Sequence, residues 1–416
     1  MKRENDPPAD ALSPEESSGY WGMVWREFRR SRQSMAGLVF VGLLFAVAFL
    51  APFLAEKRPL VWTEAGRTAF PLVREFFAPS EAPELVLERS FNFLLLFLPA
   101  AALLRLLMPR LRSSRLRAGL YLFLAAALAL PFFLVQARLD PKPYRQDASG
   151  GKGRGVFPLI PYGPFEQGFG NRVPPTWWEK QAAPEGPKTY HALGTDNAGR
   201  DVLVRLIHGA RVSLAVGIVS VCIAAAIGLA AGAVAGFFGG WADLLILRLV
   251  EIMMCFPTFF LILAIIAIMD ERSILNIVLV IGCTGWTGIA RLVRGEVLKQ
   301  RTLDYVTASV ALGASSLRTL FRHVLPNAVA PVLVSMTFGI ASSILMESGL
   351  SFLGFGVDIP TASWGELLNQ AREAPTVYWW LALFPGAPIF YTVTIYNLVG
   401  EGLRDAMDPR LRLQRG

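Results

Sequence analysis

Long apolar stretches constrain this chain more than any other feature of its sequence. A helix needs about 20 mostly apolar residues to cross a bilayer, and roughly eight windows of this chain meet that requirement. These windows are 36–55, 91–108, 118–137, 212–236, 244–268, 274–293, 328–350 and 379–400. The composition agrees, because 53% of the 416 residues are hydrophobic and only 17% are charged, a balance too apolar for a soluble domain. We therefore predict an all-α integral membrane protein with about eight transmembrane helices.

Basic residues gather in four segments outside these windows and predict how the chain is oriented. The four clusters are Arg26, Arg29, Arg30 and Arg32; Arg105, Arg110, Arg112, Arg115 and Arg117; Lys299, Arg301, Arg318 and Arg322; and Arg404, Arg410, Arg412 and Arg415. Because basic flanks stay in the cytoplasm, eight crossings place all four clusters and both termini on that side. The net charge of +8 is thereby explained. No polar segment is long enough for a nucleic-acid-binding domain, so the expected contact is membrane lipid.

The same pattern divides the chain into seven parts. They are a cytoplasmic tail with an interfacial helix (1–35), a first transmembrane helix (36–55), an external loop (56–90), an inserted transmembrane hairpin (91–137), a second external loop (138–205), a transmembrane core (206–405) with a cytoplasmic loop at 300–327, and a cytoplasmic tail (406–416). The polar start of the chain is typical of disorder. The stretch WGMVWREFRR either lies along the membrane face, with Trp21, Trp25 and Phe28 on one side, or extends the first span.

The cytoplasmic loop from Gln300 to Asn327 is predicted to form two short helices on either side of Gly313. Thr302 or Asp304 is a candidate cap for the first helix, and Pro326 begins the next span. The loop's small and apolar residues, among them Tyr305, Ala308 and Leu312, would be exposed outside the bilayer, which favours docking into a partner's groove. An ordinary amphipathic loop is the alternative, and both interpretations remain open.

On the outer side, the stretch GTDNAGRD is rich in turn-forming residues and predicts a compact polar turn. Its candidate residues are Gly194, Thr195, Asp196, Gly199, Arg200 and Asp201. They serve either as an outer gate or contact to a binding protein, or as a structural lid on the helix bundle. Glu347, near the outer end of its span, faces either a translocation cavity or the outer loop that follows.

Chemical motifs for catalysis are absent from the sequence. GKGRG around Lys152 lacks the GxxxxGK[ST] pattern of a phosphate-binding loop, and the three histidines and three cysteines have no metal-ligand spacing. There is also no nucleophile and base arrangement of the kind that catalysis requires. We expect a protein that is not an enzyme and holds no metal or cofactor of its own.

Three motifs resemble ABC-importer permeases of the dipeptide/oligopeptide family. DYVTASVALGASSLRTLFRHVLPN is similar to the family's coupling loop, which docks into the ATPase subunit. The resemblance assigns that role to Asp304, Tyr305, Ala308, Ala311, Leu312, Gly313, Ala314, Ser315, Arg322 and Pro326. Thr307 stands where the family usually has glutamate, so one polar contact to the ATPase differs. HALGTDNAGRDVLVRLIHGARVSL and LSFLGFGVDIPTASWGEL resemble the opening of the transport core and the outer loop after its penultimate helix.

The resemblance extends over roughly residues 191–410, and AEKRPLVWTEAGRTAFPL is similar to the second permease of the microcin C/oligopeptide subgroup. The hairpin at 91–137 interrupts that match. The resemblance implies a six-helix core, formed by the first span and the last five, in the bacterial inner membrane. It also implies a second permease subunit, ATPase subunits that bind ATP and Mg, and an external solute-binding protein. The substrate would be an oligopeptide or peptide-like solute; nickel or another small solute, or a stand-alone secondary transporter or channel, are the alternatives.

Overall fold

The computed structural model describes residues 20–108, 114–178, 190–269 and 272–408. Three sequence-based predictions fall outside this range. They are the disordered start of the chain, the basic turn of the hairpin with Arg110 and Arg112, and the C-terminal cluster Arg410, Arg412 and Arg415.

The part of the chain before residue 200 combines long helices with short external elements. Its helices are α1 (Tyr20–Arg30), α2 (Arg32–Leu54), α3 (Pro71–Phe77), α4 (Leu85–Leu107), α5 (Ser114–Leu134) and α6 (Tyr144–Ser149), and its strands are β1 (Val61–Glu64), β2 (Arg67–Ala69) and β3 (Arg154–Val156). The strands form one antiparallel sheet in the order β2-β1-β3. This sheet joins the two external loops, because β1 and β2 come from the first and β3 from the second.

The part after residue 200 is helical. Its elements are α7 (Val202–Phe238), α8 (Gly240–Cys255), α9 (Thr258–Ile268), α10 (Ile274–Thr284), α11 (Trp286–Arg301), α12 (Asp304–Ala311), α13 (Ser316–Thr319), a π-helical turn (Leu320–Val324), α14 (Leu325–Phe352), α15 (Trp364–Gln370) and α16 (Trp379–Met407). Among the described residues, seven helical spans are long and apolar enough to cross a membrane, and the pair α8 and α9 raises the number to as many as eight. The predicted all-α membrane fold is confirmed.

The window 244–268 is not one continuous helix. It divides into α8 and α9, whose axes differ by 83°. Pro257 has no backbone N–H to donate, and Phe256 before it adopts an extended conformation with φ −96° and ψ 129°, as residues before proline commonly do. The hydropathy of the window does not reveal this bend, because both halves are apolar.

The two ends of the described chain meet on one side of the bundle. Val24 and Phe28 of α1 are buried against Ala406 of α16. Ser31 breaks the helix between α1 and α2, with φ −78° and ψ 109°, so α1 is a separate helix and not an extension of the first span. Trp21 and Trp25 are exposed while Phe28 is buried. The rings of Trp25 and Phe28 nevertheless stack with their centroids 6.0 Å apart, so these two aromatics share one side of α1, and the placement of α1 along the membrane face stays a prediction.

Candidate functional site

The loop 300–327, which is predicted to be cytoplasmic, forms the two short helices, α12 and α13, that the sequence predicts. Gly313 between them has φ +84°, in the left-handed region that favours glycine. A Cβ built there meets no atom within 4 Å, so the backbone conformation alone demands the glycine. Capping of α12 by Thr302 or Asp304 is not observed, because Leu303 is the N-cap residue and makes no side-chain bond. Ser315 caps α13 instead, its hydroxyl oxygen accepting a hydrogen bond from Arg318 N.

The ten residues predicted to contact the ATPase lie at the solvent-exposed surface of the loop. Nine of the ten are exposed and Ala314 is half-buried. Large apolar side chains stand out on this surface, and that of Leu312 is 89% exposed. The large exposed apolar residues of the loop are Leu303, Tyr305, Val310, Leu312, Leu317 and Phe321. Arg318 and Arg322 are exposed beside them, which gives the loop an apolar surface with a basic margin.

The loop is attached firmly to the helices that precede and follow it. Val306 is 2% exposed and lies in one apolar cluster with Val293 and Val297 of α11. The Tyr305 hydroxyl donates a hydrogen bond to Gln300 Oε1 at 2.6 Å and accepts one from Asn327 Nδ2 at 3.2 Å. A displacement of the loop must therefore move the end of α11 and the start of α14 with it.

Helix α11 in turn packs directly onto α7 through glycines. A Cβ built at Gly232 would lie 2.5 Å from the carbonyl oxygen of Ala290, and Gly228 and Gly236 are equally close to the backbone or side chains of α11. The three glycines follow at intervals of four residues, which places them on one helix face and permits the close approach common between membrane helices. Their spacing is visible in the sequence and is a signal from which this helix contact could be predicted.

The outer turn, residues 194–201, is a buried structural element. Thr195, Asp196 and Arg200 are fully buried and Asp201 is 2% exposed. Asp196 accepts hydrogen bonds from the N–H groups of Ala198 and Arg200 and from Arg200 Nε. Gly194 has φ +80°, and a Cβ there would meet Val173 O at 2.6 Å. This burial favours the lid interpretation; a gate or binding-protein contact stays a prediction.

A buried ionic network connects the outer turn to the outer rim, which we define as residues 353–373. Arg205, fully buried on the first turns of α7, donates to Glu366 of α15 at 2.6 Å and lies 3.3 Å from Asp196. Gln370 completes the link, donating to Glu366 and accepting from Asn197 N at 3.0 Å. Burial and the neighbouring Arg205 lower the pKa of Arg200. Arg205 and Glu366 were missed in the sequence because 161 residues separate them.

Comparison with known proteins assigns the family. Residues 19–64 match the N-terminal transmembrane domain of oligopeptide transport permease C, and residues 228–413 match the inner membrane component of binding-protein-dependent transport systems. The di/tripeptide transport system permease protein DppC of Pseudomonas aeruginosa is 43% identical over 256 residues, which cover 61% of this chain and 82% of the relative. The chain belongs to the binding-protein-dependent permeases.

Two further relatives of the permease agree. The glutathione transport system permease protein GsiD of Pectobacterium atrosepticum is 41% identical over 228 residues, covering 55% of this chain and 75% of the relative. The oligopeptide transport system permease protein OppC of Bacillus subtilis is 39% identical over 230 residues, covering 55% of this chain and 75% of the relative. The resemblance to the dipeptide/oligopeptide family is confirmed, while the narrower microcin C subgroup stays a prediction.

Glu347 of the permease lies buried beneath the outer rim. Its side chain is fully buried, and Ser351 Oγ donates a hydrogen bond to it at 2.8 Å. Helix α15 closes over this site, since a Cβ at Gly365 would lie 2.7 Å from Ser348 Cα. Of the two orientations the sequence left open, this burial favours the one toward the rim, and a cavity-lining role stays a prediction.

The inserted hairpin, helices α4 and α5, is joined to the permease core by a charge pair. Arg211 of α7 is fully buried and forms an ion pair with Glu88 of α4. Asn92, one turn further along α4, donates to Phe76 O at 2.7 Å, which fixes the hairpin against α3. The hairpin is therefore anchored at its outer end, where the ring of Phe132 in α5 also contacts Phe76 and Phe77 of α3, and α5 packs on α4.

Proposed function

We propose that this permease is one of two membrane subunits of an ATP-driven ABC importer for oligopeptides or peptide-like solutes in the bacterial inner membrane. The observation that carries the proposal is the exposed apolar surface of the loop 300–327 on an anchored pair of helices. A surface of this kind outside the bilayer has the chemistry of a docking site for another protein. The names of the three relatives, which refer to di/tripeptide, glutathione and oligopeptide transport, favour peptides over nickel as the solute.

The partners follow from the same reasoning. ATP and Mg would be bound by separate ATPase subunits that receive Leu312 and its neighbours, so ATP hydrolysis would take place outside this chain. A second permease subunit would supply the other wall of the translocation path, and an external solute-binding protein would deliver the peptide. Both termini lie in the cytoplasm in this proposal, which agrees with the basic residues of α1 and with its contact to the end of α16.

The mechanism uses the rigid path from loop to bundle. ATP binding closes the two ATPase subunits and displaces the loop around Gly313. Because Val306 and Tyr305 fix the loop to α11 and α14, these two helices move with it, and α7 follows through its glycine contacts with α11. The cavity between the two permeases then changes from inward-facing to outward-facing.

Two experiments test the proposal. The tagged chain is solubilised in mild detergent from its native membrane, and co-eluting proteins are identified by mass spectrometry; a second multi-span permease and an ATPase are expected. Recovery of the chain alone, under conditions that keep other membrane complexes intact, would contradict the proposal and favour a stand-alone transporter.

In the second experiment, the co-purified complex is placed in liposomes to measure ATP-driven uptake of a tripeptide. The variant Gly313→Trp should retain ATP hydrolysis but lose uptake.

A further inference from the structure

A cavity of about 240 Å³ opens at the outer rim of the permease. It lies between the outer turn at Asn197, Arg272 before α10, and the rim segment that carries Asp358 and Arg372. Two further cavities, both lined by Glu88 and His208, hold about 40 and 10 Å³. This outer cavity contains no residue of the loop 300–327, and it borders the ionic network, because Glu366 and Gln370 form part of its wall.

Most polar groups in the wall are already engaged, which makes the wall rigid. Glu366 is held by Arg205, and Asn369 donates to the carbonyl oxygens of Ser351 and Phe352 at 3.1 and 2.6 Å. Arg272 donates to Gly354 O at 2.6 Å. Side chains held in this way have little rotamer freedom left to lose when a ligand binds.

Of the remaining charged groups of the wall, Arg172 and Glu373 are paired, whereas Asp358 and Arg372 are not; Arg272 also forms no ion pair in the described chain, but its guanidinium is held by Gly354 O. Arg172 forms an ion pair with Glu373 at 2.8 Å and lies over the ring of Tyr378. Asp358 and Arg372, by contrast, form no ion pair anywhere in the described chain, and both are exposed at the same cavity. The cavity therefore presents one available carboxylate and one available guanidinium.

We propose that this outer cavity binds a short peptide by its free charged ends, with the α-ammonium group at Asp358 and the α-carboxylate at Arg372. A guanidinium matches a carboxylate with two parallel hydrogen bonds, and an ammonium group forms charge-assisted hydrogen bonds with a carboxylate. The inference rests on the proposed function, since it concerns the same solute, and it adds a binding step on this chain at the outer surface.

The test measures peptide binding to the full-length chain in detergent by isothermal titration calorimetry. The probes are Ala-Ala-Ala with free ends, the same peptide acetylated at its N-terminus, and the same peptide amidated at its C-terminus. Each modification removes one charge, so each should weaken binding about tenfold or more, as expected for a lost charge-assisted hydrogen bond. Equal binding of all three peptides, or no binding of the free peptide, would overturn the proposal.

Variants assign each end of the peptide. Arg372→Ala should weaken binding of the free peptide about tenfold and leave the amidated peptide unchanged, while Asp358→Asn should affect the free and amidated peptides but not the acetylated one. Arg248→Ala, at an exposed position paired with Glu251 elsewhere in the chain, is the matched control and should bind like the parent. If the variants bind like the parent while ATP-driven uptake persists, the binding site is refuted and the proposed function stands. Absence of uptake and of partner subunits would instead refute the function.

Discussion

Arg211 Nε donates a hydrogen bond to the carbonyl oxygen of Ala48 at 2.6 Å, and the reason lies four residues later in α2. Pro52 has no N–H, so the carbonyl of Ala48 has no helical donor. Arg211 supplies that donor from α7 and extends to Phe49 O at 3.1 Å. The proline of one span thus creates the acceptor for a buried arginine of another, and Glu88 of the inserted hairpin provides the negative charge that such an arginine requires.

The first prediction follows from this charge pair. Glu88→Gln should leave the Arg211 guanidinium buried without a counter-ion and destabilise the protein by about 3–5 kcal/mol. Thermal unfolding of the purified chain in detergent measures the change. The double variant Glu88→Leu with Arg211→Met should recover much of the loss, because it removes both charges together.

A matched control for this prediction is Glu251→Gln. Glu251 pairs with Arg248 at 2.5 Å, but both side chains are more than half exposed, so the loss should stay below about 1 kcal/mol. If Glu88→Gln lowered the free energy of unfolding as little as Glu251→Gln, the negative charge of the hairpin would be dispensable.

The glycine contact between α7 and α11 gives the second prediction. Gly232→Ala would place a methyl group 2.5 Å from Ala290 O and 2.7 Å from Val293 Cβ, so the two helices must separate. We expect a lower unfolding temperature and lower uptake per ATP hydrolysed in the reconstituted complex. Gly295→Ala on α11 is the control, since its methyl group meets nothing within 4 Å; similar losses in both variants would argue against close packing as the cause.

The third prediction concerns the docking surface of the loop. Leu312→Asp places a charge at the most exposed apolar side chain of the loop and should greatly reduce co-purification of the ATPase, because a buried unpaired charge opposes association. The permease itself should remain folded, as Leu312 makes little contact with it. Leu159→Asp, at a side chain 81% exposed in the external loop, should leave ATPase recovery unchanged, and loss of ATPase in both variants would contradict the assignment.

The fourth prediction concerns pH. Glu56, in the external loop, is 8% exposed; burial raises its pKa to about 7, against the attraction of Arg58, while Glu75 and Glu81 raise it further and Lys57 lowers it. The cavity it lines, which holds about 40 Å³, also contains Glu88 and His208. Because the folded state holds the proton more tightly than the unfolded state, the contribution of Glu56 to stability is fully present below pH 4.5 and is lost as the pH rises to about 7.

Glu56→Gln removes this dependence. The variant should match the parent at pH 4.5 and exceed its stability above pH 7, by an amount on the order of 3 kcal/mol. Unfolding temperatures at pH 4.5, 6 and 8 measure the divergence, with Glu373→Gln, whose side chain is 70% exposed, as the control. A stability difference that does not change with pH would show that Glu56 does not titrate in this range.

The sequence by itself determined the class of the protein and the position along the chain of the loop 300–327. Apolar windows set the membrane helices because helix length and bilayer thickness are local constraints, and Gly313 marked the turn because only a residue without Cβ occupies its backbone conformation readily. Motifs such as that of the outer turn located candidate residues but did not reveal that they are buried.

Only the tertiary structure decided the long-range pairs and the bend. Arg205 with Glu366 and Arg211 with Glu88 are 161 and 123 residues apart, and no pattern in a single chain links charges at such separations. Likewise, Pro257 interrupts the helical hydrogen bonds, but the 83° angle between α8 and α9 depends on how these two helices pack against their neighbours. Hydropathy reports apolar residues along the chain, whereas ion pairs and helix directions arise from packing between segments that are distant in sequence.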